Sequence, residues 1–196
     1  MVEPRPAATV VLVREAQTDL EVLLLRRDEN LAFTPGCWVF PGGKIDPQDY
    51  PSESGTGEYQ AALRAAVRET REEAGITIDH RHLIHTAHWT TPENLPLRFS
   101  TWFFLCPLYE QVEVTVDDGE IRDFRWISPV RALQEVARRE LKVIHPTLVT
   151  LQDLRHYSSL DELLAGVSGQ GIRVFPDDSP HYRPIEMGVA DVPDSE

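Results

Sequence analysis

A single helix sets the strongest constraint on how this chain can fold. From Glu58 to Ala74, the residues Leu63, Ala66, Val67, Thr70 and Ala74 recur at intervals of three and four, and Gly75 follows. That period predicts an amphipathic helix closed by a glycine, which can take the left-handed cap conformation. The other side carries Glu69, Glu72 and Glu73 at i, i+3 and i+4, so their carboxylates are expected on one helical face. Like charges so spaced cost about 0.2–0.5 kcal/mol per contact in a bare helix. A hard divalent cation between the oxygens removes that cost, and Mg²⁺ or Mn²⁺ suits such donors. On the helix alone the alternative is a solvated face, with Arg68 and Glu72 paired at i, i+4 and Arg64 and Arg71 nearby.

Charge narrows the partners. The chain has 32 acidic and 19 basic residues in 196, a net charge of −13, which repels nucleic-acid backbones and anionic membranes. A small anionic substrate would need a cation as intermediary. Cys37 and Cys106 lie far apart in apolar surroundings, which suits buried thiols rather than a disulfide framework. The apolar run Ala7–Val13 is too short to span a membrane, and Glu3 precedes it, so a cytoplasmic location is expected.

Around the helix the pattern is mostly extended. Residues 7–15 and 20–27 read as two strands of a hairpin, and Cys37–Phe40 as a short strand ending in a sharp turn at Pro41-Gly42-Gly43. The stretch from Asp46 to Gly57, rich in Pro, Ser, Gly and acids, is expected to be an exposed loop. Further strands are expected over 83–89, 99–105 and 121–127. Ser128-Pro129 then opens a helix to about Leu141. Two short helices follow, the second starting with Ser159 and Glu162 at capping-box spacing. From Gly166 onward the period is lost, and an irregular, partly disordered tail is expected over 166–196. The sum is an α/β (α+β) domain over residues 1–165, with a mixed sheet and a C-terminal helical extension.

The residues from Gly43, with Arg68-Glu69-Thr70-Arg71-Glu72-Glu73-Ala74-Gly75-Ile76 after a loop, resemble the Nudix box, G-x5-E-x7-R-E-U-x-E-E-x-G-U with U apolar. The second half matches at every fixed letter, and Thr70 is the soft position. In the first half the spacing departs from the pattern. Counting six residues from Gly43 reaches Asp49, counting eight back from Arg68 reaches Gln60, and these positions lie 11 residues apart. Asp49, Glu58 and Gln60 all remain open as replacements for the first box glutamate. The resemblance implies a Nudix-type mixed sheet sandwiched between helices and hydrolysis of a phosphoanhydride in a nucleoside diphosphate linked to another group. It also implies divalent metal held by Glu69, Glu72, Glu73 and the Gly42 carbonyl, and orientation of those acids by Arg68. A homodimer is compatible with it.

For the general base the family uses a box glutamate or an acid on a later loop. The candidates outside the box are Glu120, Asp117, Asp118, Glu113 and Glu93, with Glu120 first because Asp118-Gly119-Glu120 forms a polar turn before a strand. Simple turn solvation is the competing role. Arg98 is a candidate grip on a substrate phosphate, against an ordinary strand arginine.

The approach from Phe33 to Gly43, the run Val22–Arg27 and the inserted box are similar to the branch containing coenzyme A and acyl-coenzyme A diphosphatases. One departure stands out: the coenzyme A signature places an arginine where this chain has Ala32. ADP-ribose or another nucleotide sugar is the alternative substrate, and a non-hydrolytic nucleotide-sensing module the alternative role. Intact Glu69, Glu72 and Glu73 argue for hydrolysis. His80, His82, His85 and His88 lack zinc-finger spacing, and Trp38, Trp89, Trp102 and Trp126 sit in apolar runs where core packing is their ordinary use.

Overall fold

The computed structural model describes residues 2–51 and 57–189. Eight strands occur among these: β1 (Arg5–Glu15), β2 (Leu20–Arg27), β3 (Trp38–Val39), β4 (Gly42–Lys44), β5 (Ile84–Thr90), β6 (Phe99–Leu108), β7 (Ile121–Ile127) and β8 (Arg173–Phe175). The helices are α1 (Glu58–Ala74), α2 (Pro129–Ala137), α3 (His145–Leu154) and α4 (Leu160–Ser168). All eight strands join one sheet in the order β3-β2-β1-β6-β5-β8, with β4 added alongside β1 and β7 alongside β2. The pairs β1–β6 and β5–β8 are parallel and the others antiparallel, so the sheet is mixed as expected.

The central strands are apolar on both sides because both sides are covered. Ala8, Val10 and Leu12 of β1, with Trp102, Phe104 and Cys106 of β6, face α1. Val11, Val13, Phe103 and Leu105 face the other way, against Leu151, Leu154, Leu160 and Leu163 of α3 and α4. Small residues line the buried side of α1: Ala61, Ala62, Ala65 and Ala66 are fully buried, which brings the helix axis close to the sheet. The soft box position is explained by the same packing. Thr70 is fully buried, and its hydroxyl donates to the Ala66 carbonyl at 2.8 Å, so the side chain packs with its polar atom satisfied inside the helix. Gly75 ends α1 at φ 69°, a conformation that favours glycine, and its N–H donates to the Arg71 carbonyl.

Several expectations need correction. The expected turn at Gly42-Gly43 is strand β4, held against β1 through Thr9–Gly42 and Ala8–Gly43. In the 46–57 segment, Asp46 caps a short 3-10 turn over Pro47–Asp49, and Asp49 is buried rather than solvated. Residues 52–56 lie outside the described residues. Helix α2 stops at Ala137 instead of about Leu141, because Arg139 at φ 62° reverses the chain and returns Leu141 to the core. Strand β6 runs on through Pro107, past the end of its pairing with β5 at Leu105, where a missing N–H leaves no ladder bond unmade on that edge.

The expected irregular tail is largely packed onto the domain. Strand β8 extends the sheet, Tyr182 stacks on His88 at 4.6 Å, and buried Met187 accepts the Tyr59 N–H at its carbonyl at 3.0 Å. That last bond serves one of the free N–H groups at the start of α1, whose N-cap Gly57 has no side chain to do so. Aromatic side chains supply the burial that the tail's Gly, Pro and Asp content obscured. Residues 190–196 of the expected tail lie outside the described residues. Both cysteines are free and buried, and no described helix is long and apolar enough to cross a membrane.

Candidate active site

The site begins with the approach of α1 to β4. Facing Gly43 is the Glu69 side chain, and a Cβ on the glycine would stand 2.5 Å from that carboxyl carbon, so any side chain there would displace the carboxylate. One turn further along, the Gly42 N–H donates to Glu73 Oε2 at 2.9 Å. Glu73 is 6% exposed. Burial, and secondarily the Glu69 carboxylate, push its pKa up to about 8 against the pull of the Gly42 N–H. Glu69 is also raised by burial, opposed by Arg68.

The three acids do not share one environment. Glu69 and Glu73 turn inward against β4, whereas Glu72 is exposed, with Oε2 3.2 Å from Arg68 Nη1. Arg68 is the hub between them. Its Nη1 donates to Glu69 at 2.8 Å, Nε and Nη2 donate to the two Asp49 oxygens at 3.1 and 2.8 Å, and Nη2 also reaches the Lys44 carbonyl at 3.0 Å. These bonds hold the guanidinium well above its usual range, Asp49 contributing most. One planar, forked cation thus fixes β4, the 3-10 turn and α1 to each other.

Of the three candidates for the first box position, Asp49 is the one the structure brings to Arg68. Asp49 Oδ2 also accepts the Asp46 N–H at 2.8 Å, so Asp49 joins the cluster through Arg68. Glu58 instead accepts the Trp102 Nε1–H at 2.9 Å in the core, and Gln60 is exposed. Sequence spacing counted from Gly43 pointed to this aspartate, but its grip on Arg68, 19 residues away, has no local signature.

Glu120 sits at the rim, with its Oε2 3.8 Å from Arg27 Nη2, and its charge contributes to raising Glu73. Of the other base candidates, Asp117 is spent on the turn, accepting the N–H groups of Glu120 and Ile121 at 3.1 and 2.9 Å. Asp118 adopts φ 54° and lends its carbonyl to Arg122. Arg98 must be corrected. It is 3% exposed and donates to the Thr91 and Val2 carbonyls at 3.0 and 2.7 Å, so it ties the N-terminus to β6 and has no free face for a phosphate. Of the histidines, His85 and His88 enter the core and His80 and His82 stay on the surface.

Among the described residues, no three His, Cys, Asp or Glu side chains already converge as a metal cluster. The reason is visible: Glu73 is turned onto Gly42, and Arg68 occupies the space between Glu69 and Glu72. The donor chemistry nonetheless fits a hard cation, because two desolvated carboxylates repel each other beside backbone stripped of side chains.

Comparison with known proteins extends this picture. A family model described as the NUDIX domain matches residues 3–148. The chain is 23% identical to an acyl-coenzyme A diphosphatase of Xenopus laevis, aligning 74% of this chain with 62% of that protein. It is 28% identical to the Homo sapiens acyl-coenzyme A diphosphatase over 80% of this chain and 41% of that one. The chain thus spans about two fifths to three fifths of these curated relatives. Among solved structures, a NUDIX hydrolase from Alicyclobacillus acidocaldarius superposes with a TM-score of 0.73 at 25% identity, covering 84% of this chain and 97% of that one. The NUDIX domain of Shewanella oneidensis NrtR, solved with ADP ribose, shares the fold with a TM-score of 0.57 at 19% identity, covering 80% and 91%.

Proposed function

The chain belongs to the NUDIX family, and from that premise we propose that it is a divalent-metal-dependent pyrophosphohydrolase acting on a nucleoside diphosphate linked to another group, coenzyme A or an acyl-coenzyme A foremost. The observation that carries the proposal is the packing of two glutamates, half-buried Glu69 and buried Glu73, against the side-chain-free Gly42 and Gly43, with Arg68 locking both elements in register. A sensing module would have no need of such a costly arrangement of buried acids.

Glu69, Glu72, Glu73 and the Gly42 carbonyl would hold Mg²⁺ or Mn²⁺. When bound, the metal supplies neutralisation of phosphate charge and a lowered water pKa. Arg68 keeps Glu69 and Glu72 oriented, and Asp49 keeps Arg68 from swinging away. In the reaction the oxygen of a water attacks one phosphorus, and the anhydride P–O bond breaks with its electron pair leaving on the other phosphate. Glu120 takes the proton from the water, a role its exposed position at the rim permits and that is worth about 10²–10⁴-fold in similar chemistry.

The relatives' names favour coenzyme A derivatives as substrates. Ala32, exposed where the coenzyme A signature carries an arginine, favours including ADP-ribose as the second reading. The test is a screen of coenzyme A, acyl-coenzyme A, ADP-ribose, dinucleoside polyphosphates and nucleoside triphosphates with Mg²⁺ or Mn²⁺, detecting phosphorylated products. Metal-dependent release of two monophosphate products from one of the diphosphate-linked compounds is expected. No turnover of any of them with either metal would overturn the proposal.

A further inference from the structure

We propose that the groove along the exposed side of α1, lined by Arg64, Arg68, Arg71 and His80, binds a phosphate group that the substrate carries in addition to its anhydride. The inference rests on the hydrolase reading for its substrate class, and it adds a specificity site to it.

The groove has a volume of about 550 Å³, and Val67 and Glu72 complete its lining. Arg64, Arg68 and Arg71 stand at i, i+4 and i+7, which aligns them along one stripe of the helix. Two turns separate the outer pair, about 10 Å of rise. What distinguishes the stripe is convergence on one groove. Several arginines elsewhere are taken by acids, Arg81 by Asp79, Arg122 by Asp28 and Arg125 by Glu135 among them, while exposed Arg5, Arg139 and Arg155 have no acid partner among the described residues but line no part of this groove. Among the described residues, Arg64 has only a long 3.5 Å bond to the Asp49 carbonyl, and Arg71 has no carboxylate within ion-pair distance. Both are exposed.

The single acid in the lining is Glu72, and its carboxylate already faces Arg68. Arg68 joins the groove to the acid cluster, since its Nη1 donates to both Glu69 and Glu72. Two exposed forked cations with unused donors match a phosphomonoester, which offers three acceptor oxygens and close to two negative charges. Carboxylates and neutral sugars would leave most of those donors to water.

The experiment measures binding rather than turnover. Titration calorimetry with Mg²⁺ at low salt compares adenosine 3′,5′-bisphosphate with adenosine 5′-monophosphate, for the wild type and for R64Q/R71Q. The wild type is expected to bind the bisphosphate about 10-fold more tightly, and the variant to lose that preference at an unchanged melting temperature. Nitrogen-15 spectra of arginine side chains in the wild type give a second readout that needs no variant. The Arg64 and Arg71 Nε signals are expected to shift with the bisphosphate. Equal binding of both nucleotides by the wild type, a preference retained by the variant, or unmoved Arg64 and Arg71 signals at saturation would each overturn the site. Turnover with no phosphate preference would remove the groove and leave the hydrolase reading standing. A preference in a protein that hydrolyses nothing would do the reverse.

Discussion

Gly43 and Glu69 face each other so closely that a methyl group on the glycine would lie 2.5 Å from the carboxylate carbon and oxygen. Glu69 cannot retreat freely, because Arg68 holds its Oε1 at 2.8 Å from behind. Gly43→Ala is therefore expected to displace the carboxylate and lower metal-dependent kcat by about 10²-fold, the scale seen when one preorganised charge is misplaced. Circular dichroism should show the fold retained. Wild-type kcat in this variant would mean that the Glu69 position is not critical.

Glu73→Gln separates chemistry from folding. The amide keeps the side-chain size and an oxygen for the Gly42 N–H, but loses the charge a divalent ion requires. Turnover at saturating Mg²⁺ is expected to fall by about 10²-fold or more. In chelator the melting temperature should hold or rise, because a buried carboxylate repelled by Glu69 has become neutral. Near-wild-type kcat would remove Glu73 from the essential ligands.

Asp49→Ala tests the hub. It leaves the Arg68 guanidinium without two of its hydrogen bonds and the Asp46 N–H without an acceptor. The expected cost is about 2–4 kcal/mol, since Asp49 is buried and its loss strands a partly buried charge. Urea denaturation measures it, and activity should fall as well because Arg68 no longer holds Glu69 in place. A loss below about 0.5 kcal/mol would show the pair to behave like an ordinary surface ion pair.

Acid should destabilise the sheet face under the tail. Burial lowers the pKa of His85 to about 4 and of His88 to about 3, and His88 leaves its Nδ1 without a partner among the described residues. In the unfolded chain both imidazoles take up a proton below about 6.5. Between those limits the unfolded state holds more protons, so stability is full above about 6.5 and declines as pH falls toward 4, by roughly 1–3 kcal/mol for each histidine. Glu73, raised to about 8, acts in the opposite sense over pH 7 to 5, so the histidine contribution is read as the difference between melts in chelator of the wild type and of a His88→Gln variant. The variant should lose less stability than the wild type as pH falls, and parallel profiles would refute the assignment.

What the sequence by itself determined was local in origin. The limits of α1, the strands at 20–27 and 121–127, the capped start of α4 and the acids of the box all follow from periods and spacings within a few residues, which backbone geometry converts directly into structure. Tertiary structure decided everything that depends on partners far along the chain. The sequence cannot tell a solvated arginine from a buried one: Arg98 is consumed by the Val2 carbonyl 96 residues away, while Arg64 and Arg71, of the same chemistry, are left open on α1. It cannot assign Asp49 to Arg68 across a loop, nor foresee that Tyr182 and Met187 would dock a glycine- and proline-rich tail on β5 and the start of α1. The physical reason is common to all three. A polar group's role is set by whether another group has already satisfied it, and that is known only once the chain has brought the two together.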